Sequence, residues 1–579
     1  MPSTDAASAP PTTMPLPGTS TITRAAAATR RVPAWLIALG VIALAAPVLT
    51  LTHHPPRQAL PRAQAITAAL RDPATRLQLA GARWDVVTVG AIDDDLVRVS
   101  FFSHGQIIAE VALRADGRVV AGTDFRRATV PYGDWIAYEP GVLAGLAALF
   151  VLVAGVAPLR RIRNLDVAMA LSLLGSVVLL QRRYVAPSVL AALPGLSYLM
   201  VRCAWVALGS ARASDPGTPL LNVLPRSIDA SRRVRCLRLL LAAVALVFVM
   251  VGVSSPGAVD VIYAVMEGAT KLVHGVLPYG HMPGDVVHGD TYPLLSYLLY
   301  MPLAWWAPVS SMWDSVDGAL AVAVAAALAT GWALFRSAAG ARGSRRRPRP
   351  PELEEAGLRA ALCWLSFPLL LITVSTGTTD VVLAAMLVMA LLVWRRPGLS
   401  TTLLAAAAWF KLVPAVLMPI WLAPLRGRRL AVAVIAILGV SAALAGVLLA
   451  FGGVSGITAM LHAVEYQFSR GSPQSLWAAL GIDRLQPVGQ ACLLGLIAGA
   501  AVRLRRDPEL AGDRRRIAAL CAALLIGTQL AAQYWAFLYV VWVLPLLCLS
   551  LLESRAVAPE AAHARAGGEQ PALRPVWAR

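Results

Sequence analysis

The sequence predicts an all-α polytopic membrane protein with about twelve transmembrane helices, a split or re-entrant pair, and a small α+β extracytoplasmic module near the N-terminus. Three observations lead there. Of 579 residues, 58% are hydrophobic and only 14% charged, where a soluble domain carries about a quarter charged residues. The apolar residues fall into runs near the roughly 20 residues that cross ~30 Å of hydrocarbon. The net charge of +19 is concentrated in short arginine clusters beside those runs: Arg160, Arg161 and Arg163; Arg232, Arg233 and Arg235; Arg395 and Arg396; Arg426, Arg428 and Arg429; and Arg514 to Arg516. That is the distribution of cytoplasmic loops, and it argues against nucleic acid as a partner. The six cysteines lie in or beside apolar runs, so no disulfide framework or metal-spaced set follows from them.

Taken in order, residues 1–31 read as a disordered cytoplasmic tail rich in Ala, Pro, Ser and Thr, and 32–52 as a first, uncleaved transmembrane helix. Between 53 and 138 the composition becomes that of a small soluble module. A helix is expected over 63–79, followed by strands at 84–89, 96–102, 107–113 and 118–120. Asp93-Asp94-Asp95, Ser103-His104-Gly105 and Asp116-Gly117 supply the turns. One helix followed by a strand meander resembles PepSY-like extracytoplasmic modules. The aspartate triplet reads as a hairpin turn or as a cation site, the turn being the simpler account.

Additional transmembrane helices fill 139–235, and a membrane core runs over 236–553 before a second cytoplasmic tail at 554–579. Spans are expected at 140–158, 166–181, 186–208, 237–254, 317–335, 358–374, 380–395, 430–451, 487–503, 516–532 and 535–552. The aromatic segment 294–308 reads as a helix in the outer interface, because a spanning helix there would put the five arginines of 342–349 outside. Residues 401–425, broken by Pro414 and Pro419 and basic at both ends, read as a re-entrant pair opening to the cytoplasm. Arg182 and Arg183 then lie outside, the one clear exception.

This topology leaves three outward stretches: the 53–138 module, a loop over 255–316 and a loop over 452–486. The second holds three of the chain's eight histidines, His274, His281 and His288, with Asp260, Glu267, Asp285 and Asp290. Its pattern is an acidic residue just past a helix, then Gly268-Ala269 with Leu272, His274-Gly275 and Pro278-Tyr279-Gly280, then His288-Gly289-Asp290-Thr291-Tyr292-Pro293. This resembles the first outer loop of membrane-embedded glycosyltransferases of the C superfamily, closest to family 87. Gly377-Thr378-Thr379-Asp380, Trp409-Phe410-Lys411 with Pro414, and Gln474-Ser475-Leu476 extend the resemblance over about 235–552. Thr379 departs from the asparagine usual there.

The resemblance implies a sugar, mannose or another hexose or pentose, carried by a polyprenyl phosphate and transferred to an envelope glycan or glycolipid. The setting would be the outer side of a bacterial cytoplasmic membrane. No cofactor and no resident divalent metal is implied. The residues agree with such chemistry, since no Walker A sequence, strand-linked G-x-G-x-x-G or H-E-x-x-H is present. Displacement at an anomeric carbon needs a base for the acceptor hydroxyl and cations for the departing phosphate. Asp260 is the candidate base, with capping of the helix that follows as its structural alternative. Tyr279, His281, Asp285, His288, Asp290 and Tyr292 are candidate sugar or phosphate contacts, loop structure and metal binding being the other readings. Asp380, Lys411 and Arg470 complete the set, with Lys411 expected nearer the inner half of the membrane. Tyr534 and Trp535 read as an interfacial belt. The competing function is a transporter or flippase of lipid-linked saccharides, for which repeated halves and mid-membrane charges would be expected.

Overall fold

The computed structural model of the protein describes residues 60–552, apart from 82, 92–95, 104–105, 125–134, 182–183, 210–217, 221–228, 255–259, 284–285, 311–315, 340–349 and 470–473. The two tails, the first expected span, Arg182-Arg183 and the arginines of 342–349 therefore lie outside the described residues, as do Asp285 and Arg470.

The N-terminal module has two helices where one is expected. Helices α1 (Arg62–Arg71) and α2 (Pro73–Leu79) are separated at Asp72, whose carboxylate accepts from the Thr75 N–H at 2.7 Å and caps the second. Strands β1 (Val86–Ala91), β2 (Leu96–Ser103), β3 (Gln106–Arg114) and β4 (Val119–Asp124) follow as an antiparallel meander in sequence order. Val97, Val99 and Phe101 alternate inward on β2 and meet Val111 and Leu113 of β3 under Ala65 and Ala69 of α1. The β3–β4 turn is closed by Asp116 accepting the Arg118 N–H at 2.9 Å, with Gly117 at φ 81° where a side chain would be strained.

The rest is a helical bundle. Its first part comprises α3 (Pro140–Ala154), α4 (Ile162–Ser172), α5 (Leu174–Gln181), α6 (Val185–Leu208) and α7 (Ala230–Ser254). Then come α8 (Asp260–Val273), α9 (Leu294–Trp306), α10 (Asp317–Ala338), α11 (Pro351–Leu365), α12 (Pro368–Ser375), α13 (Asp380–Leu392), α14 (Pro397–Phe410) and α15 (Met418–Leu422). The chain closes with α16 (Gly427–Ser469), α17 (Gln486–Arg506), α18 (Arg514–Ala531) and α19 (Val540–Leu547). Among the described residues six helices are long and apolar enough to cross a membrane, or seven if the bent pair α11–α12 is one span. Eleven are expected over the same residues, the first expected span lying outside them. The segments expected at 140–158 and 380–395 form helices of only 15 and 13 residues, and 358–374 bends by 57° at the break before Pro368.

Small residues let the helices approach. A Cβ on Gly195 of α6 would fall 2.9 Å from the Met169 carbonyl oxygen of α4, so the two backbones touch there. Basic side chains gather at one end. Arg516 donates to the Ala207 carbonyl at 3.0 Å, Arg514 to Ser337 at 3.5 Å, Arg515 to the Ser550 carbonyl at 2.6 Å and Arg163 to the carbonyls of Ala154 and Leu552.

The segment after Arg395 and Arg396 enters the bundle from this end and returns to it. Trp421 of α15 donates to Ser400 Oγ at 2.7 Å, in the first turn of α14, and its ring lies edge-on to Trp394 at 4.9 Å. Between them the chain turns at Lys411, the residue that ends α14, and continues as a 3₁₀ turn over Val413–Leu417. Proline explains the break: Pro414 has no N–H for the carbonyl four residues back, that of Phe410. Ser296 of α9 donates its hydroxyl to that carbonyl instead.

Two expected loops are largely helical. The stretch 255–316 contains α8 and α9. In 452–486 the chain continues as α16, which runs 43 residues with a kink at Gly453 (φ 59°, ψ −151°) and ends only at Ser469. A run of mostly small and apolar residues extends the helix past the membrane-crossing length, and hydropathy windows place its end too early.

Candidate active site

Asp260 is the first residue of α8, is exposed, and accepts the Val261 N–H at 2.9 Å through Oδ1. The capping alternative is thus realised in part, at a residue that is itself exposed. The body of α8 is buried from Ile262 to Thr270. Inside it Gly268 is required, because a Cβ there would lie 2.3 Å from the Tyr297 ring.

Two turns pack on the N-terminal half of α8. The 3₁₀ turn Val287–Thr291 comes so close that a Cβ on Gly289 would be 2.9 Å from Ala264 Cβ. Ala264 is four residues after Asp260, so this turn lies on the same helix face, one turn away. The other turn has Gly377 at φ 68°, where a Cβ would stand 3.5 Å from Ile262 and 3.0 Å from Leu320. Thr378, Thr379 and Asp380 follow this turn directly in the chain. The turn that holds His288 and Asp290 therefore packs on α8, and Gly377, three residues before Asp380, packs on it as well.

Within 274–293 the expected contact residues are largely bonded to one another. Tyr279, 2% exposed, donates to the Tyr292 carbonyl at 3.1 Å. Tyr297 donates to the Gly289 carbonyl at 2.7 Å and accepts the Tyr292 N–H at 3.3 Å. Asp290 Oδ2 accepts the Gly280 N–H at 2.8 Å, and His281 Nδ1 lies 2.8 Å from the Tyr279 carbonyl. Burial pushes the Asp290 carboxyl above its ordinary range, against the opposing pull of the Gly280 N–H and His288. Burial also raises the Tyr279 phenol, and nearby Asp290 raises it further. Tyr279 and the backbone of Tyr292 are thus bonded to one another within the loop. His281 keeps an exposed ring.

Behind this loop sits a buried polar cluster. Lys411 Nζ lies 2.5 Å from Asp380 Oδ1, which also accepts Trp542 Nε1–H at 2.6 Å. The ammonium lies 5.3 Å from the Tyr539 ring centre and 5.2 Å from that of Trp542, the two rings stacked at 4.2 Å. Thr378 and Thr379 add two buried hydroxyls with no hydrogen-bond partner. An ammonium in an apolar bundle is stable only when paired, and here a carboxylate and two aromatic faces supply that. Asp380 begins α13, whose other end leads to Arg395, so Lys411 lies toward the end opposite the arginines, about 20 Å along a 13-residue helix. The re-entrant pair is deeper than its length in sequence suggests, because its 14-residue first arm is fully helical.

Tyr539 and Trp542 escape sequence reading because they fall inside an apolar run that looks like a plain span. Their signal is the three-residue spacing of two aromatics at a helix start. Trp535 is corrected too: it is buried and donates to Gln529 at 3.2 Å, so it does not form an interfacial belt. Among the described residues no group of three or more His, Cys, Asp or Glu side chains is placed to hold a metal ion.

Residues 291–532 match the family model of glycosyltransferase family 87. The matched segment takes in Tyr292, Asp380, Lys411 and Arg470 and begins after Asp260, Tyr279, His281, Asp285, His288 and Asp290. It is narrower than the resemblance over 235–552. No curated protein and no solved structure matches the chain.

Proposed function

Proceeding from the family 87 match, which supports glycosyl transfer within a membrane-embedded helical core, we propose that the protein moves a sugar from a polyprenyl phosphate to an extracytoplasmic glycan or glycolipid acceptor. Asp260 is the general base. The observation that carries this reading is the position of its carboxylate: solvent-exposed, at the head of an otherwise buried helix, one turn from the Val287–Thr291 turn. An acceptor hydroxyl arriving from water meets that carboxylate without entering the bundle. As its oxygen attacks the anomeric carbon, Asp260 takes the hydroxyl proton, and the bond from that carbon to the phosphate oxygen breaks with its electron pair leaving on the phosphate. The Asp380–Lys411 pair and its aromatic wall form the floor of the donor side, and Arg470 is retained as a second cation for the phosphate. Gathering of the candidate contact residues of 274–293 in one loop favours transfer over transport, which would call for functional charges midway along the helices.

The test is transfer from radiolabelled polyprenyl-phosphate-mannose to endogenous acceptors in membranes with and without the protein, beside a nucleotide-sugar arm in carrier-free detergent. Label appearing in acceptor only with the protein and the lipid donor is the expected result. Full activity from the nucleotide sugar alone would overturn the donor assignment, and activity with other lipid-linked sugars but not mannose would change the sugar.

A further inference from the structure

At the arginine-rich end, far from Asp380, a cavity of about 440 Å³ is lined by Arg426, Val502, Arg505, Arg506 and Pro508. Arg426 follows the re-entrant pair, whereas Arg505 and Arg506 end α17, so the fold gathers the three guanidinium groups from two separate segments. Like charges held around one cavity repel unless an anion sits among them. No described carboxylate forms an ion pair with any of the three. The neighbouring acid, Asp507, is already taken by Arg503 at 2.8 Å, by Arg516 at 3.9 Å and by the Leu510 N–H at 3.0 Å. A basic helix terminus accounts for Arg505 and Arg506 through the dipole of α17. It does not account for Arg426.

The apolar surface leading to the cavity narrows the choice of anion. Leu494, Ala498 and Val502 are exposed at four-residue spacing along α17, with Leu494 60% and Val502 45% exposed, and the stripe runs into Arg505 and Arg506. A ligand with an acyl chain would lie along this stripe with its headgroup in the cavity. Guanidinium groups suit phosphate because their planar donors match its oxygens.

We propose that this cavity binds the phosphate headgroup of an anionic membrane lipid, with its acyl chain on the Leu494–Val502 stripe. The site is separate from the transfer chemistry and does not depend on it.

The experiment measures binding of phosphatidylglycerol to the full-length, delipidated protein in phosphatidylcholine nanodiscs, with inorganic phosphate as a second probe. The triple variant Arg426→Gln, Arg505→Gln, Arg506→Gln is compared with the control Arg160→Gln, Arg232→Gln, Arg235→Gln, which removes equal exposed charge elsewhere at the same end. Loss of affinity on the order of a hundredfold is expected in the first, at roughly fivefold for each basic residue, and almost none in the control. Arg426→Gln alone should lose several-fold while leaving α17 untouched, which guards against misfolding of the triple variant. Equal loss in both triple variants, or loss in neither, would overturn the proposal. Inorganic phosphate binding the wild type as tightly as the lipid would assign the cavity to a free anion and overturn the lipid.

Discussion

Lys411 Nζ and Asp380 Oδ1 stand 2.5 Å apart, one at the tip of a hairpin and the other at the head of a helix, 31 residues apart in sequence. Asp380 is 1% exposed and Lys411 9%. Each holds the other's charge inside the bundle. Asp380→Asn should therefore destabilise by about 3–5 kcal/mol, because the ammonium is left buried without its counter-charge. Lys411→Met should cost a similar amount, and the double variant Asp380→Asn, Lys411→Met far less than the sum. Thermal unfolding in detergent reads all three; strictly additive losses would mean that the pair is not coupled.

Asp260→Asn keeps shape and the ability to accept the Val261 N–H while removing basicity. Turnover at saturating donor should fall by a factor of roughly 10² to 10⁴ with the unfolding temperature unchanged. Asp290→Asn should keep most turnover, since its amide oxygen still accepts the Gly280 N–H. The reverse ranking would move the base to Asp290.

Asp290 also makes a pH prediction. Its folded carboxyl is raised by burial, so the fold favours the protonated form. Stability from this residue is fully present below the ordinary aspartate pKa and is lost as pH rises through the raised value. Asp290→Asn does not titrate. The unfolding temperature of the variant minus that of the wild type should climb as pH rises from about 4 and then level off. A difference independent of pH would show that Asp290 is hydrated in the native loop.

Gly268→Ala would drive a methyl group into the Tyr297 ring, at a cost of about 1–3 kcal/mol from overpacking. Because the Tyr297 hydroxyl ties Gly289 to Tyr292, the Val287–Thr291 turn should shift with the ring. Tyr297→Phe removes the tie and keeps the ring. Activity lost in both variants, with stability lost mainly in Gly268→Ala, is the expected pattern in paired activity and unfolding measurements.

The re-entrant pair fixes a labelling pattern. In a background lacking the six native cysteines, Leu399→Cys and Arg428→Cys should react with an impermeant reagent from the same side of the membrane, and His281→Cys from the other. Reaction of 399 and 428 from opposite sides would require the segment to span.

The helices and the split pair were legible because both follow from single residues and their near neighbours: apolar runs, arginine clusters, and prolines that delete hydrogen bonds. The cluster at Lys411 was not. Its depth depends on how far α14 continues before the break, and its partner on where α13 begins, which local pattern leaves open. Tyr279 shows the opposite limit. The sequence marks it as a polar aromatic in a loop rich in titratable groups, but whether its hydroxyl faces a sugar or the Tyr292 carbonyl, thirteen residues on, depends on the closure of the loop between them. The covering arm of α16 beyond Gly453 was missed because hydropathy scores membrane crossing, whereas this arm is held by Met460 and Ala463 packing against the same loop and by Gln467 donating to the Thr291 carbonyl at 3.3 Å.

A hairpin that enters and leaves at one end also bears on how the chain is assembled in its membrane. Translocating a basic loop is the step that insertion machinery resists, and it is why arginines mark the retained side. With Ser400 tied to Trp421, Arg395, Arg396, Arg426, Arg428 and Arg429 all stay at the end where they are made, and only Lys411 is carried toward the far face. One ammonium, delivered already beside a carboxylate, is thereby installed toward the end opposite the arginines without any flanking cation being carried there with it.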